Sequence, residues 1–410
     1  MADAAGKPLV IVVSSGYQPF REYLLEMVSQ HARVWLFQDT APTWEQPYLT
    51  GHTVVDLHDD AALAHAAGAL AARPGVQGVL CWNELLVDRT ARLQQVLGLP
   101  GATPAAVALC RDKLGTRRAL DAAGVPQARC VPVASAAQAR QAAGRIGYPV
   151  IVKPRALGAS VGVKKAHSAA EVTAAYTEAS TVAMDGAPDY GAEVLVEEYL
   201  QGPEISVDAA VQDGGLVPLF LARKVCGFAP YFEEVAHSVD AADPLLDDPV
   251  LLDVLRRAHR AVGYRTGITH TELKLTPAGP KVVEINARLG GDLIPLVASV
   301  ASGVDPGRAA VAIGCGQPLP APGRRPQVAA VRFLYPERDC VAAAVHVDRA
   351  ALPATAVHAR ALVGAGHRLL LPPAGHISSR YGYVLVTGDS ADACWSAAET
   401  AARAVRLRTA

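Results

Sequence analysis

The chain has 410 residues, 51% of them hydrophobic and 19% charged, enough for two or three domains that each bury a core. Its 38 Lys and Arg nearly balance 39 Asp and Glu, so no global field gathers nucleic acid or an anionic membrane, and any affinity for phosphate must be local. No run approaches about 20 uninterrupted apolar residues, Met1 to Pro8 has no basic and then apolar leader, and the seven cysteines are scattered and never spaced as CxxC. A soluble cytoplasmic protein without a disulfide framework or zinc site is the expectation.

From the N-terminus, Leu9 to Val13 is a β-branched run closing on Ser14-Ser15-Gly16, and an apolar-periodic stretch follows from Tyr23 to Val28. The alternation repeats through Val34 to Phe37, Thr53 to Val55, a helical stretch from Ala61 to Ala72, Val79 to Trp82 and a helix from Leu85 to Leu97. Residues 1–100 therefore read as a parallel α/β domain, which binds ligands at strand carboxyl ends such as Ser14-Ser15-Gly16 and Asn83-Glu84. After the Gly98 to Gly101 turn, residues 101–190 and 191–320 read as two α+β lobes, helical from Lys113 to Ala123 and strand-rich from Val150 to about Ile285. A Pro/Gly/Arg-rich stretch, Gln317 to Pro326, leads into 327–410, a smaller α+β element with strands at Val328 to Leu334 and Tyr383 to Val386 and a closing helix from Ala391 to Val405. The fold class is thus mixed α/β and α+β, in several domains.

The stretch from Ile268 to Arg288 carries the most chemistry. Two alternating strands flank the Pro/Gly turn Thr276 to Pro280; if Leu275 and Lys281 close that turn, Glu272 falls directly opposite Glu284 on one face. Asn286, two residues on, shares that face, with Arg288 beyond it. Opposed carboxylates repel unless a cation sits between them, and two carboxylates with an amide oxygen suit Mg²⁺. The plain alternative is a solvated hairpin whose glutamates pair with Lys274 and Lys281.

Upstream, Tyr148 to Pro154 is an apolar strand carrying Lys153 near its end, followed by Arg155-Ala-Leu-Gly158-Ala-Ser160-Val-Gly162. Small residues there let backbone N–H groups approach phosphate, with Ser160 as a hydroxyl donor, although the loop is neither a Walker A nor a GxGxxG sequence. Lys113, taken alone, reads as a surface charge, and the strand Val194 to Leu200, with Glu204 after it, as structural.

Together, Lys113, Lys153 with its Gly/Ser loop, Glu197-Glu198-Tyr199-Leu200 with Glu204, Glu272 and Glu284-Ile-Asn286-Ala-Arg288 resemble the ATP-grasp superfamily over about residues 8 to 320. The resemblance implies an ATP-grasp fold in which Lys113 and Lys153 bind ATP phosphates, Glu197, Glu198, Tyr199 and Leu200 form the adenine linker, and Glu204 holds the ribose. It further implies two Mg²⁺ ions on Glu272, Glu284 and Asn286, with Arg288 contacting the γ-phosphate and an acyl phosphate. Phe232-Glu-Glu234-Val-Ala-His237, His270 to Leu275 and Arg288-Leu-Gly290-Gly291-Asp292 are most similar to the L-amino-acid ligase branch, which makes dipeptides. That likeness implies substrate contacts from Glu234, His237 and Glu84, with His237 or Glu234 orienting or deprotonating the amine, a carboxylate near the catalytic Arg288, Gly290 and Gly291, and Lys224 as a further phosphate ligand. Some members of the branch carry Trp shortly after the Arg where this chain has Asp292, which implies a larger pocket or one that accepts a cationic group.

The expected activity is therefore ATP-dependent joining of a carboxylate to an amine through an acyl phosphate, with ADP and phosphate released. The partners implied are small-molecule carboxylate and amine substrates and, as is common in relatives, a second copy of the chain, with neither nucleic acid nor membrane. Two rivals share the motifs: a carboxylase or purine-pathway type of ligase acting on bicarbonate or formate, and a non-catalytic nucleotide-binding scaffold. The second would be expected to have lost a lysine or a metal ligand, and this chain keeps them.

Overall fold

The structure, a computed structural model, describes residues 6–71, 75–183, 186–188, 190, 193–321 and 325–410. Near the N-terminus four parallel strands stand in the order Gly51–Val54, Arg33–Gln38, Leu9–Val13, Val76–Leu80. Leu9–Val13 is buried along its whole length, as an inner parallel strand covered on both faces must be. The Ala-rich helix spans Asp60–Ala71, and Ala72 lies outside the described residues.

Four antiparallel strands form the next sheet, in the order Cys130–Val133, Val194–Glu198, Val150–Pro154, Lys164–Ala166. Helices Ala136–Ile146 and Ala169–Thr181 pack on it, each started by a serine, Ser135 or Ser168, whose side chain accepts a backbone N–H.

The centre of the molecule is an eight-stranded antiparallel sheet. It begins with the hairpin Gly279–Asn286 and Gly267–Thr276 and continues through Glu204–Gln212, Gly215–Gly227 and Glu233–Asp240. It then incorporates Val328–Leu334, Gly382–Gly388 and Ala356–Ala361. The segment after residue 327 therefore extends the central sheet with three strands and builds a separate three-stranded sheet, Arg368–Leu369, Cys340–Val347 and Val405–Thr409, from the rest. Its closing helix ends at Arg403, earlier than its Ala-rich pattern suggests, and Val405–Thr409 is a strand paired with Cys340–Val347. Residues 322–324 of the Pro/Gly/Arg-rich stretch are outside the described residues.

Helix Pro249–Ala261 covers one face of the central sheet because its apolar residues Leu251, Val254, Leu255 and Ala258 recur at helical spacing, and Asp248 caps its first turn through Val250 and Leu251 N–H. On the other face Val10, Val12, Leu24 and Leu25 share one core with Phe220, helix Ile294–Ser302, Phe333 and Leu385. Residues from both ends of the chain thus meet over the same stretch of sheet. Among the described residues no single helix is long and apolar enough to cross a membrane.

Candidate active site

A cavity of about 840 Å³ opens where the antiparallel lobe, the hairpin, the first helix and the C-terminal segment face one another. That volume lies toward the upper end of ligand pockets. Glu272 and Glu284 are paired directly across the hairpin and both line the cavity, as does Asn286, paired with His270. The route to that register differs from the expected one. Thr276 pairs with Gly279, Leu275 with Pro280 and Lys274 with Lys281, so the turn is the two residues Pro277 and Ala278, one step out of the anticipated frame. A bulge between Glu272/Leu273 then inserts Val283 as an extra residue and brings the glutamates opposite each other. Arg117, 4% exposed, secures the bulge by donating to the Val282 and Val283 carbonyls at 3.2 and 2.8 Å.

The remaining Arg117 donors reach across the cavity floor to Glu197, with Nε and Nη2 at 2.8 and 3.1 Å from its two carboxylate oxygens. Lys153 Nζ is 2.7 Å from the same carboxylate. Burial opposes ionisation of Glu197, but these two cations hold its carboxyl down at about 2. Burial lowers the Lys153 ammonium, against the pull of Glu197. The Glu197 side chain is therefore committed to orienting Lys153, and Tyr199 and Leu200, just past the strand, form the adjoining cavity wall. Glu198 pairs with Lys281 at 3.5 Å, and Lys165 stands 3.8 Å over the Tyr199 ring.

Lys113 begins its helix behind the N-cap Asp112 and extends Nζ to the Leu157 carbonyl at 2.7 Å and Glu284 at 3.1 Å. Asp112 also accepts from Arg155 at 2.6 Å, tying the loop after Lys153 to this helix. Within that loop Ala159, Ser160 and Gly162 take φ of 53°, 56° and 72°, and Gly158, Ala159 and Ser160 line the cavity. Left-handed residues at 159 and 160 curl the backbone so that consecutive N–H groups can converge on an anion.

Lys224, 8% exposed, lies just behind the wall among three carboxylates: Glu234, Glu204 at 3.0 Å and Glu272 at 2.8 Å. Burial works against its charge, yet these neighbours raise it well above the ordinary lysine value. Glu204 also holds Lys274 at 2.9 Å. His270 is sandwiched between Asp208 at 2.7 Å and Glu272 at 3.5 Å; burial disfavours the imidazolium, but Asp208 and Glu272 lift it to about 9.

Arg288 and the loop after it form the other end. Arg288 Nε bonds Glu84 at 2.6 Å, so Glu84 reaches the site by backing Arg288 from the first domain. Gly290 donates to Asp208 at 2.6 Å and accepts from Arg21 at 3.1 Å. A Cβ at Gly290 would stand 2.8 Å from His270 Nδ1, so only glycine permits this approach. Gly291 and Asp292 line the cavity. His237 does not reach it, being fully buried beneath Glu234 and Asp292, which lie 3.2 and 3.8 Å from its Nε2. Neither ring nitrogen has a hydrogen bond of good geometry there. Burial disfavours its charge, but Asp292 and Glu234 raise the imidazole above its ordinary value.

Residues 146–295 match the ATP-grasp domain model, and the D-alanine–D-alanine ligase of Gloeobacter violaceus is 34% identical over 227 residues, 51% of this chain and 70% of that protein. The chain belongs to the ATP-grasp family. Carnosine synthase 1 of Gallus gallus is 32% identical over 275 residues, covering 62% of this chain but 29% of its own length. The chain spans less than two thirds of the length of the relatives it matches most extensively, 64% and 29% for two of them. An L-amino acid ligase of known structure from Bacillus licheniformis superposes with a TM-score of 0.81 over 98% of this chain and 99% of its own at 18% identity, a likeness of fold.

Four residues of this ATP-grasp site escaped sequence reasoning. Arg117, Asp208, Arg21 and Arg380 each act through partners far away in the chain, and an isolated arginine on a helix face gives no sign of what it will meet. For Asp208 a signal was available: an aspartate in the apolar strand Glu204–Gln212, where every residue from Ile205 to Val211 is buried, must have a partner.

Proposed function

We propose that the protein is an ATP-dependent carboxylate–amine ligase that joins an amino acid, or a related carboxylic acid, to an amino acid or amine through an acyl phosphate. The observation that carries this reading is the opposed pair Glu272 and Glu284, facing one cavity with Lys113, Lys153 and Arg288. Likeness to D-alanine–D-alanine ligase and carnosine synthase 1 by name adds support.

In this reading Tyr199 and Leu200 hold adenine, Glu204 the ribose, and Lys113, Lys153 and the Gly158 to Ser160 loop the phosphates. Glu272, Glu284 and Asn286 offer oxygen donors from adjacent strands, a set suited to hard cations, so they would hold Mg²⁺, two ions as the family pattern implies. Bound Mg²⁺ supplies charge neutralisation on the transferred phosphoryl group. The substrate carboxylate, oriented by Arg288, uses one oxygen to attack the γ-phosphorus, and the bond to the ADP oxygen breaks. The amine then attacks the acyl carbon and phosphate departs, with the amine proton passing to Glu234, whose charge Lys224 and His237 steady from behind.

The test is phosphate release with MgATP across pairs of amino acids and simple carboxylic acids, with hydroxylamine as a trap. Release that needs both an amino acid and an amine, with a hydroxamate formed from the amino acid, is the expected result. Release with bicarbonate or formate alone would assign the protein to the rival ligase type, and no release with any mixture would end the reading.

A further inference from the structure

Asp292, the residue that a cationic substrate group would seek, is already neutralised. Arg380, from the C-terminal segment, donates to both of its oxygens at 2.8 and 2.7 Å. The same guanidinium donates to the Glu234 carbonyl at 2.8 Å and the Tyr335 hydroxyl at 2.9 Å, and its centre lies 3.8 Å above the Phe333 ring. With four donated bonds and 2% exposure, Arg380 is fixed in place, and separating it from Asp292 would strand a buried charge. Asp292 is equally constrained, since its backbone sits at a φ of 49°.

Around this pair the cavity end has a legible charge balance. Arg288 shares Glu84 with Arg111 and Arg380 is matched by Asp292, whereas Arg21, which donates to the Gly290 carbonyl, has no carboxylate within ion-pair distance among the described residues. Arg21 is therefore free to join Arg288 on a single substrate carboxylate. Apolar side chains line much of this end, Tyr17 and Phe20 on one side and Leu362, Val363 and Ile377 on the other, with His367 and Ser378 beside them, and the Tyr17 hydroxyl bonds the Leu362 carbonyl at 3.3 Å. Phe20 stacks on Phe333 at 6.0 Å, so this wall is continuous with the Arg380 platform.

Resting on the ligase reading, we propose that this end of the cavity takes an amino acid with an uncharged apolar side chain, and that Arg380 is the specificity-determining residue, occupying Asp292 so that cationic side chains are refused. A lysine side chain here would meet a guanidinium surface and carboxylates that are each already paired, Asp292 with Arg380, Glu234 with Lys224 and Glu233 with His376; norleucine, the same carbon chain with hydrogen in place of the ammonium, would bury its chain against the apolar side chains. A second carboxylate, as in glutamate, finds no further lysine or arginine without a carboxylate partner at this end among the described residues.

Calorimetric binding of L-norleucine, L-lysine and L-glutamate to the wild-type protein and to Arg380→Met, with phosphate release measured in parallel, tests this. Wild type should bind norleucine at least tenfold more tightly than lysine or glutamate. Arg380→Met, which frees Asp292, should move the lysine-to-norleucine ratio at least tenfold toward lysine. The double variant Asp292→Asn with Arg380→Met carries neither charge and covers the case in which the single variant does not fold; its discrimination against lysine should drop at least threefold from wild type. Preference for lysine or glutamate in wild type, no binding of any of the three, or an unchanged ratio in a folded variant overturns the inference. Those results leave the ligase reading standing as long as some carboxylate and amine pair drives phosphate release.

Discussion

The hairpin end of the cavity, proposed to face phosphate, and the Arg288 and Arg380 end, proposed to face substrate, are assembled in different ways. Glu272, Glu284 and Asn286 sit on two neighbouring strands of one hairpin, and Lys153 and its loop follow one another in the chain. The substrate half joins Glu84 to Arg288, 204 residues apart, and Asp292 to Arg380, 88 apart. Strand pairing makes the hairpin itself local, with Arg117 and Lys113 reaching it from one helix earlier in the chain. The substrate half exists only because both ends of the chain pack onto the same face of the central sheet. The two halves should therefore fail in different ways.

The largest effect is expected on the hairpin. Glu284→Ala should lower kcat by about 10³-fold, the scale on which enzymes lose preorganised charge stabilisation, with the protein still folded. Glu84→Gln, in the other half, should instead raise KM for the amino acid by roughly tenfold with a smaller change in kcat, because it loosens the support of Arg288. Equal effects on kcat from both, measured by phosphate release, would erase the distinction.

Arg117 bridges the hairpin bulge and Glu197, so its loss should be structural as well as functional. Arg117→Met leaves Glu197 with Lys153 alone and two bulge carbonyls without their donor, and should cost about 3–5 kcal/mol of stability. Urea unfolding of the variant against wild type reads this directly, and a loss under about 1 kcal/mol would mean the bulge holds its register without the arginine.

A pH-dependent effect separates two buried histidines. His237, under two carboxylates, is raised, whereas His259 is buried among neutral partners, bonded to the Leu255 carbonyl and the Thr269 hydroxyl at 2.7 and 2.8 Å. Burial lowers His259 from 6.5 to about 4. The folded value lies below the unfolded one, so the unfolded chain takes the proton first. Its stabilisation is complete above pH 6.5 and is lost as pH falls toward 4. Between pH 7 and 4.5 His259→Gln should remove about 2–3 kcal/mol of the acid-side slope in urea unfolding, and a slope unchanged by the substitution would contradict the assignment.

Much of the first half could be read before any fold was known. Side chains alternate along a strand, so the apolar pattern around Glu272 and Glu284 predicts that they share a face, and the pairing is observed. The predicted turn was one residue out, and the bulge at Val283 absorbed the difference; hydrophobic alternation carries no mark of an inserted residue whose carbonyl is met by an arginine from a distant helix. That the first strands pair in parallel was expected from helix and strand alternation for the same local reason, whereas their order was not.

Sequence by itself determined the elements, the hairpin with its two carboxylates, the lysine-bearing strand and the glycine-containing loop, because periodicity and turn chemistry act over a few residues. Tertiary structure alone decided that Glu197 orients Lys153, that His237 lies beneath the wall, and that Asp292 faces Arg380. Each of these depends on which distant charge shares a buried volume. An unpaired charge cannot remain in such a place, and partners separated by tens or hundreds of residues leave no periodic trace in the chain.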